Sequence, residues 1–128
     1  MSARIFLLGA FGFLGVLSRY YFGVAALKLY PASFPVGTFL INVLGSFLIG
    51  SVYTLGLERS LISEDLRVAI TLGFLGGFTT FSAYSLETVV LLNEAKYFMA
   101  AMYWGLTPVL GVAAVFAGIY FTRVFMRY

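Results

Sequence analysis

Residues 73–88, GFLGGFTTFSAYSLET, constrain this chain more than any other stretch. They lie inside an apolar segment long enough to cross a bilayer, yet they are composed wrongly for a plain spanning helix. Gly76 and Gly77 are adjacent, Thr79 and Thr80 follow, and Ser82 and Ser85 come next. Each glycine lowers helix propensity by about 1 kcal/mol relative to alanine. Paired threonines can turn their hydroxyls back on the backbone. In lipid, a broken helix is tolerated only where the freed backbone groups are buried in protein or line a wet cavity. The stretch therefore reads as an interrupted transmembrane helix, and half-helices that meet at mid-membrane are where ions bind.

The rest of the chain reads as packing around it. A crossing needs about 20 apolar residues, and four segments qualify: roughly Ile5–Leu27, Phe34–Leu57, Arg67–Leu92 and Tyr97–Phe121. The expected fold is an all-α membrane protein with four spans in one domain, residues 1–128, with the third helix broken. Pro31 and Pro35 separate the first two spans, and the other connections are also short. Arg4 before IFLLGAFGFLGVL imitates a signal peptide, but the run continues past Ser18 with no small-residue cleavage site, so it is read as a span. Small residues recur in every span: Gly9, Gly12, Gly15; Gly45, Ser46, Gly50; Gly73, Gly76, Gly77; Gly111, Ala114, Gly118. They let membrane helices approach closely. The glycines of GAFGFLG follow no strand, so they read as packing and not as a phosphate loop.

Several classes of function are excluded by inventory. The chain is 62% hydrophobic and only 10% charged, with a mean hydropathy of +1.00, whereas globular chains carry about 25% charged residues. It has no cysteine, hence no disulfide or thiolate metal site, and no histidine, the commonest acid–base group and metal ligand. With five acids besides, an enzyme is not expected. The basic residues are scattered, so there is no patch for nucleic acid. Four spans put both termini on one side, with Arg4, Arg59, Arg67, Arg123 and Arg127. Lys28 and Lys96 fall on the other, and a count of five against two suggests cytoplasmic termini. Adding Arg19 to the second side makes it five against three, a polarity weak enough for insertion both ways.

Polar groups in lipid are costly, so each needs a partner or a role. Thr38, Asn42 and Ser46 are spaced i, i+4, i+8 and share one helix face; Tyr103 and Thr107 are also i, i+4. With the span-three hydroxyls they form a track of neutral donors on three helices, or else they simply glue helices together. Arg19 and Glu87 are the charges nearest membrane depth; Arg19 is placed to snorkel to the headgroups. Phe78, Phe81 and Tyr84 recur every third position. A ring edge carries partial positive charge, so edges turned into a pore would attract an anion without holding it. The alternative is core packing, since the chain has 14 phenylalanines.

These motifs resemble the Fluc (CrcB) family of fluoride channels over essentially the whole chain. The resemblance rests on the Arg19–Tyr20 pair, on G-T-x-x-x-N-x-x-G at Gly37, Thr38, Asn42 and Gly45, and on G-G-x-T-T-F-S from Gly76 to Ser82. It implies a passive fluoride channel of the bacterial inner membrane that sheds fluoride from the cytoplasm. It implies an antiparallel, dual-topology homodimer with two pores along the interface and a structural sodium ion at its centre. The sodium carbonyls would be those of Gly76 and Thr79. The fluoride pore would involve Asn42, Phe81, Ser82, Tyr103 and Thr107, with Thr38 and Thr80 adding hydroxyls and Glu87 as an acid near one mouth. Tyr84 stands where the family has a second phenylalanine, and Gly111 where it has a span-four hydroxyl. Two other classes fit four short spans: a small multidrug exporter, or a non-conducting structural protein. Such exporters need an acid deep in the first span, where only Arg19 is charged.

Overall fold

The computed structural model describes residues 2–126; Arg127 lies outside them. All regular structure among the described residues is helical. Helix α1 spans Ser2–Leu29. Helix α2 spans Val36–Tyr53 and runs on into a π turn at Thr54–Glu58. The third span begins at Glu64, where the Ser63 hydroxyl caps Leu66 N–H, and its first half, α3, covers 64–78. Within α3 the residues Ala69–Leu75 form a second π turn. Helix α4 spans Phe81–Asn93, and α5 spans Tyr97–Phe125. Four helical stretches are long and apolar enough to cross a membrane: Ala3–Leu29, Val36–Glu58, Glu64–Asn93 and Tyr97–Phe125. The first, third and fourth run a few residues beyond the expected spans, because Ser63 starts the third earlier and nothing stops the fourth at Phe121, whereas the second starts at Val36, after Pro35, and not at Phe34.

Between α3 and α4 the backbone leaves the helix at Thr79 (ψ 160°) and Thr80 (φ −153°), both extended. The departure is at the threonines and not at the glycines, which stay helical. The glycines have another purpose. A Cβ on Gly77 would lie 2.6 Å from the Gly12 carbonyl oxygen, and one on Gly73 would lie 2.8 Å from that of Leu8. In return, a Cβ on Gly15 would lie 2.1 Å from the Phe74 carbonyl oxygen. Thus α1 and α3 pack backbone to backbone, which only glycine permits. Gly9, grouped with these on sequence grounds, meets nothing within 4 Å.

The second close crossing joins α2 and α5. A Cβ on Gly50 would sit 2.2 Å from the Val115 carbonyl oxygen, and one on Gly118 would sit 2.1 Å from that of Phe47. The Ser51 hydroxyl reaches the Gly118 carbonyl at 3.4 Å. Ion pairs tie one end of the bundle. Arg4 Nε donates to Asp65 Oδ1 at 2.5 Å and its Nη2 lies 3.3 Å from Glu64 Oε1, while Arg123 Nε donates to Glu58 Oε2 at 2.8 Å. Two of the arginines in the charge count are therefore matched by acids on their own side.

Candidate functional site

The polar residues gather where α2 and α5 pass the interruption. Asn42 faces it from α2. Its Nδ2 donates to the Thr80 carbonyl at 3.0 Å, and its Oδ1 accepts from Thr80 N–H at 2.9 Å. One side chain thus satisfies both backbone groups of a residue that is out of the helix. The Thr80 hydroxyl caps α4, accepting from Ala83 N–H at 3.2 Å. Thr79 turns its hydroxyl back to Leu75 O at 2.8 Å. Arg19 Nη1 donates to the Thr79 carbonyl at 3.3 Å. The guanidinium points into the protein instead of snorkelling outward, since an extended backbone here offers it an acceptor. Sequence reasoning missed this contact; the pairing of a mid-span arginine with a broken third span was its only signal.

A cleft of about 450 Å³ opens beside the interruption, edged by Asn42, Ser46, Thr79, Thr80, Phe81 and Thr107. Gly76 also lies on it. The Phe81 ring is 79% exposed, whereas Tyr84 is only 7% exposed. Their centroids are 5.8 Å apart, but Tyr84 packs on Tyr103, at 5.2 Å and 63°. The two rings are together, and only one stands open. Ser82 is exposed beside Phe81, with a contact of 3.5 Å to the Thr80 hydroxyl. Across from Gly111, the Ser46 hydroxyl lies 3.4 Å from where a Cβ would be. That hydroxyl is bound to the Asn42 carbonyl at 2.7 Å.

A second cluster lies further along α4. Both Glu87 oxygens are engaged: Oε1 accepts from the Thr38 hydroxyl at 2.7 Å and Oε2 from the Tyr103 hydroxyl at 2.6 Å. Tyr103 is fully buried. Thr107 donates back to the Tyr103 carbonyl at 2.7 Å. Glu87, Thr38, Thr80 and Arg19 line a cleft of about 410 Å³ between α1, α2 and α4. The predicted track is thus two groups of residues, and most of its donors have acceptors within the chain.

Pro108 was not singled out from the sequence, yet it explains Tyr84. Proline has no N–H, so within α5 the carbonyl four residues earlier, that of Trp104, loses its helical donor. The Tyr84 hydroxyl donates to that carbonyl at 2.6 Å. A proline inside a span, with a tyrosine where a phenyl ring would do, was the available signal. Tyr84→Phe is expected to strand the Trp104 carbonyl at a cost of about 1–3 kcal/mol. Thermal unfolding in detergent would show this as a lower Tm with the dimer or monomer state unchanged.

No group of three or more His, Cys, Asp or Glu side chains able to hold a metal occurs among the described residues.

The model of the family described as CrcB-like protein, Camphor Resistance (CrcB), matches residues 6–119. A protein of Caulobacter sp. (strain K31) named "Fluoride-specific ion channel FluC" is 40% identical over 121 residues, covering 94% of each chain. The protein of the same name from Prosthecochloris aestuarii is 41% identical over 122 residues, 95% of this chain and 94% of its own. That from Trichormus variabilis is 42% identical over 111 residues, 86% of this chain and 81% of its own.

Proposed function

We propose, for a chain that belongs to the CrcB-like protein family, passive and selective permeation of fluoride across a lipid bilayer. The observation that carries this reading is the extended pair Thr79–Thr80 within an apolar span, beside a cleft edged by an open phenyl ring. The names of the relatives supply the ion. The protein is a channel and not an enzyme. Its place is the bacterial inner membrane, with the interruption near mid-membrane.

Fluoride is small and strongly hydrated, so a selective path must replace its water with closely placed donors. Phe81 lines the cleft and meets the ion first, and the exposed Ser82 hydroxyl beside it adds a donor at its rim. The Thr107 hydroxyl, bound only to its own helix, can turn towards it. Tyr84 adds a ring edge, its hydroxyl being committed to Trp104. Thr38, Tyr103 and Glu87 form the polar end of the path. Weak sites of this kind attract and also release, as conduction requires.

The exposed Phe81 leaves the cleft with one wall missing. A second copy in antiparallel orientation would supply that wall twice and give two pores. The backbone carbonyls of Gly76 and Thr79 border the interruption, and unwound carbonyls suit sodium. The donor set fits, since these oxygens lie where the helical ladder stops. When bound, sodium would supply a fixed positive charge between two broken helices.

The test is efflux from liposomes holding the purified protein. Fluoride is expected to leave rapidly while chloride is retained. Phe81→Ile removes the ring edge, and a contact of the size of an edge-to-face aromatic pair is worth about 0.5–1.5 kcal/mol. It should slow fluoride flux roughly two- to tenfold with assembly intact. Equal flux in the variant would sink the role of the ring, and absence of any fluoride flux would sink the channel.

A further inference from the structure

In a continuous α-helix every N–H at i bonds the carbonyl at i−4. The Gly76 carbonyl would take the Thr80 N–H, and the Thr79 carbonyl would take that of Ala83. Neither donor arrives. Thr80 N–H is held by Asn42 Oδ1 at 2.9 Å, and Ala83 N–H by the Thr80 hydroxyl at 3.2 Å. Two side chains therefore divert the two donors that would close these carbonyls. The diversion is balanced on the other side as well, because Asn42 Nδ2 takes the Thr80 carbonyl at 3.0 Å. Arg19 reaches the Thr79 oxygen at 3.3 Å, a long contact that leaves a second lone pair.

We propose that Asn42 and Thr80 are positioning residues of the cation site, which hold the Gly76 and Thr79 carbonyls open. The proposal rests on the sodium site in the reading above. Asn42 commits its Oδ1 and one Nδ2 hydrogen to a single residue's backbone, which fixes the side chain against the interruption. The Thr80 oxygen is an acceptor towards Ala83, and its outward contact is only the 3.5 Å approach of Ser82. Losing an outer partner of a metal ligand typically lowers metal affinity about 10–100-fold.

The variants separate the two donors. Thr80→Val keeps the shape and removes the cap, whereas Thr80→Ser keeps the cap. Asn42→Leu keeps the shape and releases Thr80 N–H, whereas Asn42→Asp keeps an acceptor for it. Purified protein in detergent is titrated with sodium chloride against N-methylglucamine chloride at constant ionic strength. The readout is the rise in Tm; the sodium midpoint of fluoride efflux from liposomes is read in parallel. Wild-type Tm should rise with sodium. Thr80→Val and Asn42→Leu should move the midpoint up about tenfold or more. Thr80→Ser and Asn42→Asp should not raise it. The first two act on different carbonyls, so either decides alone if the other does not fold. An unmoved sodium midpoint with reduced maximal flux would overturn the proposal and make the two residues anion contacts. A wild type indifferent to sodium would overturn it too. Sodium-dependent Tm without fluoride flux in the wild type would leave the site standing and defeat the channel reading instead.

Discussion

Gly118→Leu is expected to leave no folded protein in detergent extracts. The first carbon added would sit 2.1 Å from the Phe47 carbonyl oxygen and 3.1 Å from Ser51 N. Both are backbone atoms of α2 and cannot swing aside as a side chain can. Across the same crossing, Gly50 stands equally close to Val115. Relief requires the two helices to part along their whole contact, and the Ser51 hydroxyl then loses the Gly118 carbonyl. Ordinary overpacking costs about 1–3 kcal/mol. A rigid backbone contact and three further carbons exceed that range, against a typical total stability of about 5–15 kcal/mol. Gly9→Leu is the control, since nothing lies within 4 Å of that position. It should yield monodisperse protein by size exclusion, where Gly118→Leu aggregates. Similar yields for both would refute the backbone crossing.

The second large effect is expected at Glu87. Its two oxygens are the acceptors for Thr38 and for the wholly buried Tyr103. Glu87→Leu would strand the Tyr103 hydroxyl away from water at about 1–3 kcal/mol, and the half-buried Thr38 hydroxyl would lose its acceptor as well. Removing the carboxylate also removes the cost of desolvating it, but the partners left behind dominate the balance. The double variant Glu87→Leu with Tyr103→Phe should therefore recover much of the lost Tm, because removing both members of a buried pair is nearly neutral. Fluoride flux should stay low in both, since the polar end of the path is gone. If the double variant is no more stable than Glu87→Leu alone, the stranded hydroxyl is not the cause.

Much of the fold could be read from the chain because lipid leaves few options. Four apolar runs separated by short polar turns can only be helices, and their number and order follow. What could not be read was where backbones touch. Gly9 and Gly12 look alike in sequence, yet only Gly12 lies against α3, because helical phase and two π turns decide which face meets a neighbour. The glycine pair at Gly76–Gly77 pointed to the correct region, but its residues are helical and the threonines leave the helix. At the site, residue types were legible and their commitments were not. Tyr103 and Tyr84 each look like a free donor until the acceptor is seen. For Tyr84 that acceptor exists only because Pro108 lacks an N–H.

The π turn at Ala69–Leu75 has a consequence for descent. Bonding i to i+5 accommodates one residue more than an α-helix would. Since a helical residue advances about 100° around the axis, as 3.6 per turn requires, that extra residue reorients everything after it. Here it contains Gly73 and lies between the ion-paired start of α3 and Gly77, and both glycines meet α1. The turn therefore behaves as an insertion absorbed without a loop. A lineage that deleted one residue here would keep its hydropathy and its length within one, and would still lose the match of Gly77 to Gly12. Drift in length is thus forbidden in a segment whose composition alone looks permissive.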